Sequence, residues 1–466
     1  MNKQSNFYVG EDTIAAIATP SGLGAIGIVK MSGSQAIPIA TSIFRPRCEK
    51  KLEELRSFRF YLGKIVDPCK NKVLDEAFIV IMRAPRSYTR EDVVEFQVHG
   101  GPLILRKVLE LCLQYGARLA RPGEFTLRAF LNGRIDLAQA EAVAQMVQAR
   151  SEKALSAFYR NLSGQLSQKV KGWQDKLLLC QAYIQAFCDF ADAVENSAER
   201  LVSEELEILE RELAGELQKS KRFAIFQDGI LVVIAGKPNV GKSSLFNLIC
   251  GEERAIVTPI PGTTRDVLEV SLTIDGIPFR FVDTAGFRSS QDLIEKIGLE
   301  KAEEFLEKAN LVVLVFDMGQ SLEGEDFALV EKVAHKRRIL VLNKSDLPSR
   351  TSKEDLSRLC PGEEILEVSV LHRKGIERLF EALVNAAQLN IDLEENPLLI
   401  TQRQSEILEQ VLKTVQDARK ALKQGLSIDV VGILLEEGMQ GLRRFTGEDL
   451  DQKLLDAIFS NFCIGK

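Results

Sequence analysis

The sequence predicts a multidomain chain: an α+β amino-terminal domain, an all-α helical domain, and an α/β unit inserted into the helical one. Three observations lead there. At 466 residues the chain exceeds what one hydrophobic core supports, and length alone suggests about three domains. Helical periodicity runs from Arg134 to about Lys221 and returns after Pro397, so it flanks whatever lies between. Between those flanks strand-like and helical patterns alternate, as a parallel sheet with crossover helices requires.

Residues 1–133 mix strand-like runs, "AIGIVKM" and "DEAFIVIMRAP", with one amphipathic stretch, "PLILRKVLELCLQYG". Glycine and proline punctuate them in "TPSGLGAIG", "HGGP" and "RPGEF", which predicts the α+β domain. Residues 134–221 contain no proline and carry apolar residues at three- and four-residue spacing, the first part of the helical domain. Trp173 and the phenylalanines of "AFCDF" read as its core. Residues 222–389 open on "GILVVIAG" and form the inserted α/β unit. Residues 390–466 return to helix and complete the helical domain.

Composition is that of a folded globular protein, with 45% hydrophobic and 27% charged residues. A net charge of -6 argues against a chain uniformly coated for nucleic acid, so any RNA contact must come from a local patch. The eight cysteines form no CxxC pair, which disfavours a zinc ribbon or a disulfide scaffold. His99, His335 and His372 share no metal-ligand spacing. The start lacks a basic segment followed by an apolar core, and no apolar run reaches the ~18 residues of a membrane span. The expectation is a cytoplasmic protein with no membrane attachment.

Chemistry enters at "GKPNVGKSS", Gly236 to Ser244, which fits GxxxxGK[ST] and follows the apolar run "ILVVIA" directly. Strand, glycine-rich turn and helix are the context a P-loop needs. Gly236 and Gly241 allow the backbone to wrap its N–H groups around phosphates. Lys242 should reach the β- and γ-phosphates, and Ser243 should offer its hydroxyl to Mg²⁺. "FVDTAG" then places Asp283 near the magnesium and the Gly286 N–H near the γ-phosphate. "LVLNKSD" supplies Asn343, Lys344 and Asp346. The Asp346 carboxylate can accept from N1–H and the exocyclic amine of guanine, and adenine lacks that donor pair. Ser369 in "EVSVLHRKG" belongs to a further base-contacting loop. GTP is the predicted nucleotide.

The hydrolytic residue is less direct. Ras-like GTPases place a water-orienting Gln directly after DTAG, and here that position is Phe287. Gln291, Asp292 and Glu295 are the candidates that could take over.

"GKPNVGKSS", "PGTTRDVLE", "DTAGFR" with "LIEKIG", and the terminal "FCIGK" together resemble the family of tRNA-modification GTPases called MnmE or TrmE. The resemblance continues through "DTIAAIATPSGLGAIGIVKMSG", "SYTREDVVEFQVHGGP" and "RPGEFTLRAFLNGRIDLAQAEA", and so covers essentially the whole chain. It implies that the amino-terminal domain binds folate and dimerises, and that the inserted unit is a Ras-like G domain. It implies GTP contacts from Asn239, Val240, Gly241, Lys242, Ser243 and Ser244. Further contacts would come from Thr258, Pro259, Ile260, Pro261, Gly262, Thr263 and Thr264, and from Asp283, Thr284, Ala285 and Gly286.

The same resemblance implies that Asn239, with the carbonyls of Thr258, Ile260 and Thr263, binds an activating K⁺. Thr264 would join Ser243 at Mg²⁺, and Glu295 would position the water in place of the missing Gln. Lys30, Glu95, Arg134 and Lys466 match the folate contacts, with Lys30 standing where relatives can carry arginine and Arg134 where they can carry lysine. Cys463 would lie near the one-carbon chemistry, supplied by 5-formyl- or methylene-tetrahydrofolate. The implied partners are a second copy of the chain, tRNA, and the flavin-dependent protein MnmG (GidA) in a heterotetramer. The implied outcome is a carboxymethylaminomethyl group at C5 of the wobble uridine. A competing reading is a GTP-switched ribosome or rRNA assembly factor without modification chemistry; a KH-like GXXG module or basic tail would favour it, and the sequence has neither.

Overall fold

The structure is a computed structural model that describes residues 12–149, 151–189, 191–223, 225–251, 269–283, 303–388, 398–448, 452–460, 462 and 465. It divides into two packed units. One gathers residues 1–147, 160–211 and 401–466; the other gathers 148–159 and 212–400.

The first unit contains a seven-stranded sheet built from β1 (Thr13–Ile17), β2 (Ile26–Ser32), β3 (Phe44–Pro46), β4 (Phe60–Asp67), β5 (Lys72–Met82), β6 (Val93–His99) and β7 (Ala117–Leu119). Their spatial order is β3-β4-β5-β6-β2-β1-β7, antiparallel except for the β1–β7 pair. Alternation sorts β1 between two cores, because successive side chains point to opposite faces. Ala15 joins the larger core with Val29, Met31 and Phe96, covered by the helices Ala36–Ile43 and Pro102–Gln114. Ile14 and Ala16 join a smaller one with Ala120 and Phe125, and Tyr88 packs against it. Helix Pro102–Gln114 buries Leu105, Val108, Leu111 and Cys112 at the spacing the sequence predicts, and Pro102 sits at its start, where a missing N–H costs nothing.

The helical part of this unit includes Gln165–Asp189, Gln402–Lys423 and Ile428–Thr446. Thr401 caps the helix Gln402–Lys423 with a reciprocal capping box to Gln404. Arg403 grips Glu141 with Nε at 2.8 Å and Nη2 at 2.9 Å, so residues on either side of the insertion meet in one bidentate pair. Trp173 is buried, as its core assignment requires. The carboxyl-terminal helix Gln452–Ser460 packs Leu455, Phe459 and the following Phe462 against Leu127, Leu137 and Ala140.

The second unit contains a six-stranded sheet of β8 (Ile230–Ala235), β9 (Glu269–Ile274), β10 (Ile277–Asp283), β11 (Leu311–Asp317), β12 (Arg338–Asn343) and β13 (Ile365–Glu367), ordered β13-β12-β11-β8-β10-β9. β8 and β11 are buried at every position, as strands covered on both faces must be. The sheet is not wholly parallel as the alternation of patterns suggests. β9 runs antiparallel to β10, joined by Asp275–Gly276, both with positive φ. That Asp-Gly pair is a hairpin turn whose twist matches the strands it joins. Among the described residues, no helix is long and apolar enough to cross a membrane.

Candidate nucleotide and anion sites

The carboxyl ends of β8, β10, β11 and β12 lie side by side in the sheet. From β8 the order steps to β10 on one side and β11 on the other, the switch point where open α/β sheets bind ligands. The P-loop leaves β8 there and closes onto helix Lys242–Gly251. Gly241 has φ +100°, and a Cβ on it would collide with the Asn343 amide nitrogen. Only glycine fits both the backbone and the space.

Asn343, the last residue of β12, shows why the space is tight. Its Nδ2 donates to the Val240 carbonyl at 2.8 Å, and its Oδ1 accepts from the Val370 N–H at 3.3 Å. One side chain therefore fixes both the P-loop and the loop after β13. Lys344 follows with φ +61° and donates to the Asn239 carbonyl at 2.9 Å. Asn239 itself is left-handed, φ +65°. Lys242 is 7% exposed and donates to the Lys237 carbonyl at 2.6 Å. Lys237 in turn is paired with Asp326 at 2.7 Å and Glu323 at 3.0 Å, which anchors the loop's outer side.

Asp346 accepts from Ser369 Oγ at 2.5 Å. That bond, helped by nearby His372 and Lys344, holds its carboxyl below the usual carboxylate range. An ionised Asp346 is the acceptor that guanine recognition needs. Ser369 is steadied by a two-way backbone pairing with Lys374. Asp283 closes β10 and is 2% exposed. Thus Asn239, Val240, Gly241, Lys242, Asp283, Asn343, Lys344, Asp346 and Ser369 converge on one end of the sheet, with Ser243 and Ser244 in the first turn of the following helix. Thr258, Pro259, Ile260, Pro261, Gly262, Thr263, Thr264, Thr284, Ala285, Gly286 and Glu295 lie outside the described residues.

The other predicted set meets in the first unit. Lys30 and Glu95 are register partners on β2 and β6, with Lys30 Nζ 3.7 Å from Glu95 Oε1. Lys30 Nζ also lies 4.9 Å from the centroid of the Tyr88 ring and 5.1 Å from that of Phe125. The Arg134 guanidinium lies 4.6 Å from the same Tyr88 ring and donates to the Tyr88 carbonyl at 3.0 Å. Two like charges thus converge on an aromatic ring, which attracts each of them electrostatically. Burial pushes the Tyr88 phenol above its ordinary value, against the opposing pull of its Thr126 bond (2.9 Å) and of Arg134. It stays protonated at neutral pH. Sequence reasoning gave Tyr88 and Phe125 no role, although both stand in stretches that carry the resemblance, because neither is a charged or nucleophilic residue.

The tail approaches this same region. A Cβ on Gly465, φ +93°, would come within 2.7 Å of the Ile17 carbonyl. Ile17 adjoins Ala16, the register partner of Lys30. Phe462 packs 4.9 Å from Phe459, ring to ring, and closely against Gly123. Cys463 and Lys466 lie outside the described residues. Of the other thiols, burial pushes Cys112 and Cys180 up to about 12, and Cys250 up to about 11. Cys112 and Cys180 are buried, and burial disfavours the thiolate in all three.

Comparison with known proteins covers almost the entire chain. The profile of the MnmE helical domain matches residues 137–463, and that of the GTP-binding protein TrmE N-terminus matches residues 13–134. The tRNA modification GTPase MnmE of Heliobacterium modesticaldum is 42% identical over 464 residues, 98% of this chain and 99% of its own. That of Alkaliphilus oremlandii is 40% identical over 459 residues, again 98% of this chain and 99% of its own. Among solved structures, the G domain of the T. maritima FeoB iron transporter is 28% identical, covering 34% of this chain and 99% of its own, at a TM-score of 0.27.

Proposed function

The chain belongs to the MnmE family of tRNA modification GTPases, and from that premise we propose a potassium-activated GTPase acting on certain tRNAs. With the flavin-dependent partner MnmG it installs a carboxymethylaminomethyl group at C5 of the wobble uridine. It works in the cytoplasm as a homodimer, joined by MnmG in a heterotetramer. The observation that carries the GTPase reading is the join of P-loop and base-recognition strand through Asn343 and Lys344, with an ionised Asp346 beside them.

The donor set suits the ions the family implies. Ser243 stands in the first turn of the helix after the P-loop, and its hydroxyl with that of Thr264 would be hard oxygen donors of the kind Mg²⁺ takes, while the buried Asp283 carboxylate at the end of β10 suits the ion's outer shell. Asn239 would offer its amide oxygen to K⁺ together with the carbonyls of Thr258, Ile260 and Thr263, which are neutral donors suited to that ion. When bound, such cations would supply positive charge to offset the charge that develops on the phosphates. Lys242 adds a fixed positive charge, the P-loop N–H groups orient the phosphates, and Glu295 aligns the attacking water in place of Phe287. In the other unit, Lys30, Arg134 and Lys466 would hold the anionic portion of 5-formyl- or methylene-tetrahydrofolate, and Glu95 would accept from its N–H groups. Cys463 would sit at the one-carbon unit.

GTP turnover measured in potassium and in sodium tests the cation assignment. Potassium should give the faster rate, and Asn239→Ala should erase the difference while GTP still binds. Equal rates in both salts for the unaltered chain would refute it.

A further inference from the structure

Asp317 ends β11 and carries an enclosed carboxylate against the base-recognition lysine: its side chain is 3% exposed. It belongs to none of the nucleotide motifs. Its Oδ2 accepts from Lys344 Nζ at 2.6 Å, and the same ammonium donates to the Asn239 carbonyl at 2.9 Å. Oδ1 accepts from the Gly319 N–H at 2.9 Å, and Gln320 Nε2 donates to Oδ2 at 3.1 Å. The carboxylate is therefore held from its own strand end and can act as a fixed point. Its register partner across the sheet is Asn343, the residue just before Lys344.

We propose that Asp317 is a positioning residue of the nucleotide site, acting through Lys344 to hold the P-loop at Asn239 in its binding conformation. The proposal rests on the GTP-binding reading above. Asn239 has φ +65°, a conformation uncommon outside glycine, and its carbonyl is fixed by a charged donor. The lysine ammonium is a point charge on a flexible stem with three donors. Left to itself, it would sample many rotamers and hold the loop weakly. An enclosed carboxylate 2.6 Å away confines it to one of them. Removing the cation from a carboxylate this enclosed leaves a charge that the Gly319 and Gln320 donors only partly compensate, which costs more than breaking an exposed ion pair. Asp317, Lys344 and Asn239 thus form one chain from the sheet to the phosphate loop.

Equilibrium binding and dissociation of a fluorescent GDP, measured on the full chain, test this. Asp317→Asn keeps the shape and removes the charge; it should raise Kd roughly tenfold or more, mainly through faster dissociation. Lys344→Met should do the same. The double variant should be no weaker than Lys344→Met alone, to within about twofold, because both changes break one chain. Additive losses, or an unchanged Kd in Asp317→Asn, would overturn the proposal. A residue that only supports the fold would lower the melting temperature and leave dissociation at low temperature unaltered, which would also overturn it. Should Asp317→Asn not fold, Asp317→Glu keeps the charge and displaces the carboxylate by one methylene. Nucleotide release faster than in the unaltered chain then supports the proposal, and equal release overturns it. Failure of the unaltered chain to bind guanine nucleotide would instead refute the GTP reading itself.

Discussion

Asn343 bonds to the Val240 carbonyl through Nδ2 and accepts from the Val370 N–H through Oδ1, so the base-recognition strand and the P-loop are held by one amide. This arrangement separates two duties that lie close together in sequence. Asn343 keeps loops in place, whereas Asp346 is aimed outward and kept ionised by Ser369.

Asp346→Asn should therefore alter specificity more than integrity. The amide offers a donor where guanine presents donors, so GTP affinity should fall by roughly tenfold or more. Xanthosine triphosphate, with an oxygen in place of the exocyclic amine, should bind the variant better than the unaltered chain. Competition binding with the two nucleotides reads the inversion. Parallel losses for both would mean that Asp346 supports the loop and does not read the base.

Glu295 supplies a second expectation, since Phe287 can neither orient water nor accept a proton. Glu295→Ala should lower the GTP turnover rate by a factor of roughly 10². GTP affinity should stay nearly constant, because the carboxylate acts on water. If Asp292→Ala produced that loss and Glu295→Ala did not, the roles of the two acids would be exchanged.

Much of this was legible in the chain because each nucleotide motif sits at a strand end, where local pattern and chemistry coincide. The run "ILVVIA" followed by "GKPNVGKSS" describes its own geometry, and β8 with the P-loop has that geometry. The antiparallel β9 was less visible, although "DG" at 275–276 marks its turn, because alternating strands and helices favour a parallel reading. Tyr88 and Asp317 could not be read from pattern. Tyr88 matters only once β2, β6 and the stretch around Arg134 are brought together, and Asp317 only once β11 lies beside β12.

Tyr88 carries a third prediction. Tyr88→Leu removes the ring that holds Lys30 and Arg134, and should weaken binding of 5-formyltetrahydrofolate by roughly tenfold. Tyr88→Phe keeps the ring and loses only the Thr126 bond, so its affinity should stay within about threefold of the original. Calorimetric titration distinguishes them. Equal losses in both variants would assign the effect to the hydroxyl and not to the ring.

The tail provides a fourth. Gly465 lies against the Ile17 carbonyl, one residue from the register partner of Lys30. Deleting Ile464 to Lys466 should weaken folate binding and tRNA modification while GTP turnover stays close to normal. Cys463→Ser should keep both folate binding and GTP turnover but lose modification. Full modification by the serine variant would make the cysteine an anchor without chemistry.

The most direct test is nucleoside analysis of bulk tRNA from cells lacking this protein, with and without its reintroduction. The account predicts that the carboxymethylaminomethyl group at C5 of the wobble uridine disappears, returns with the intact chain, and does not return with Glu295→Ala. Unchanged wobble uridine in the cells lacking the protein would contradict it.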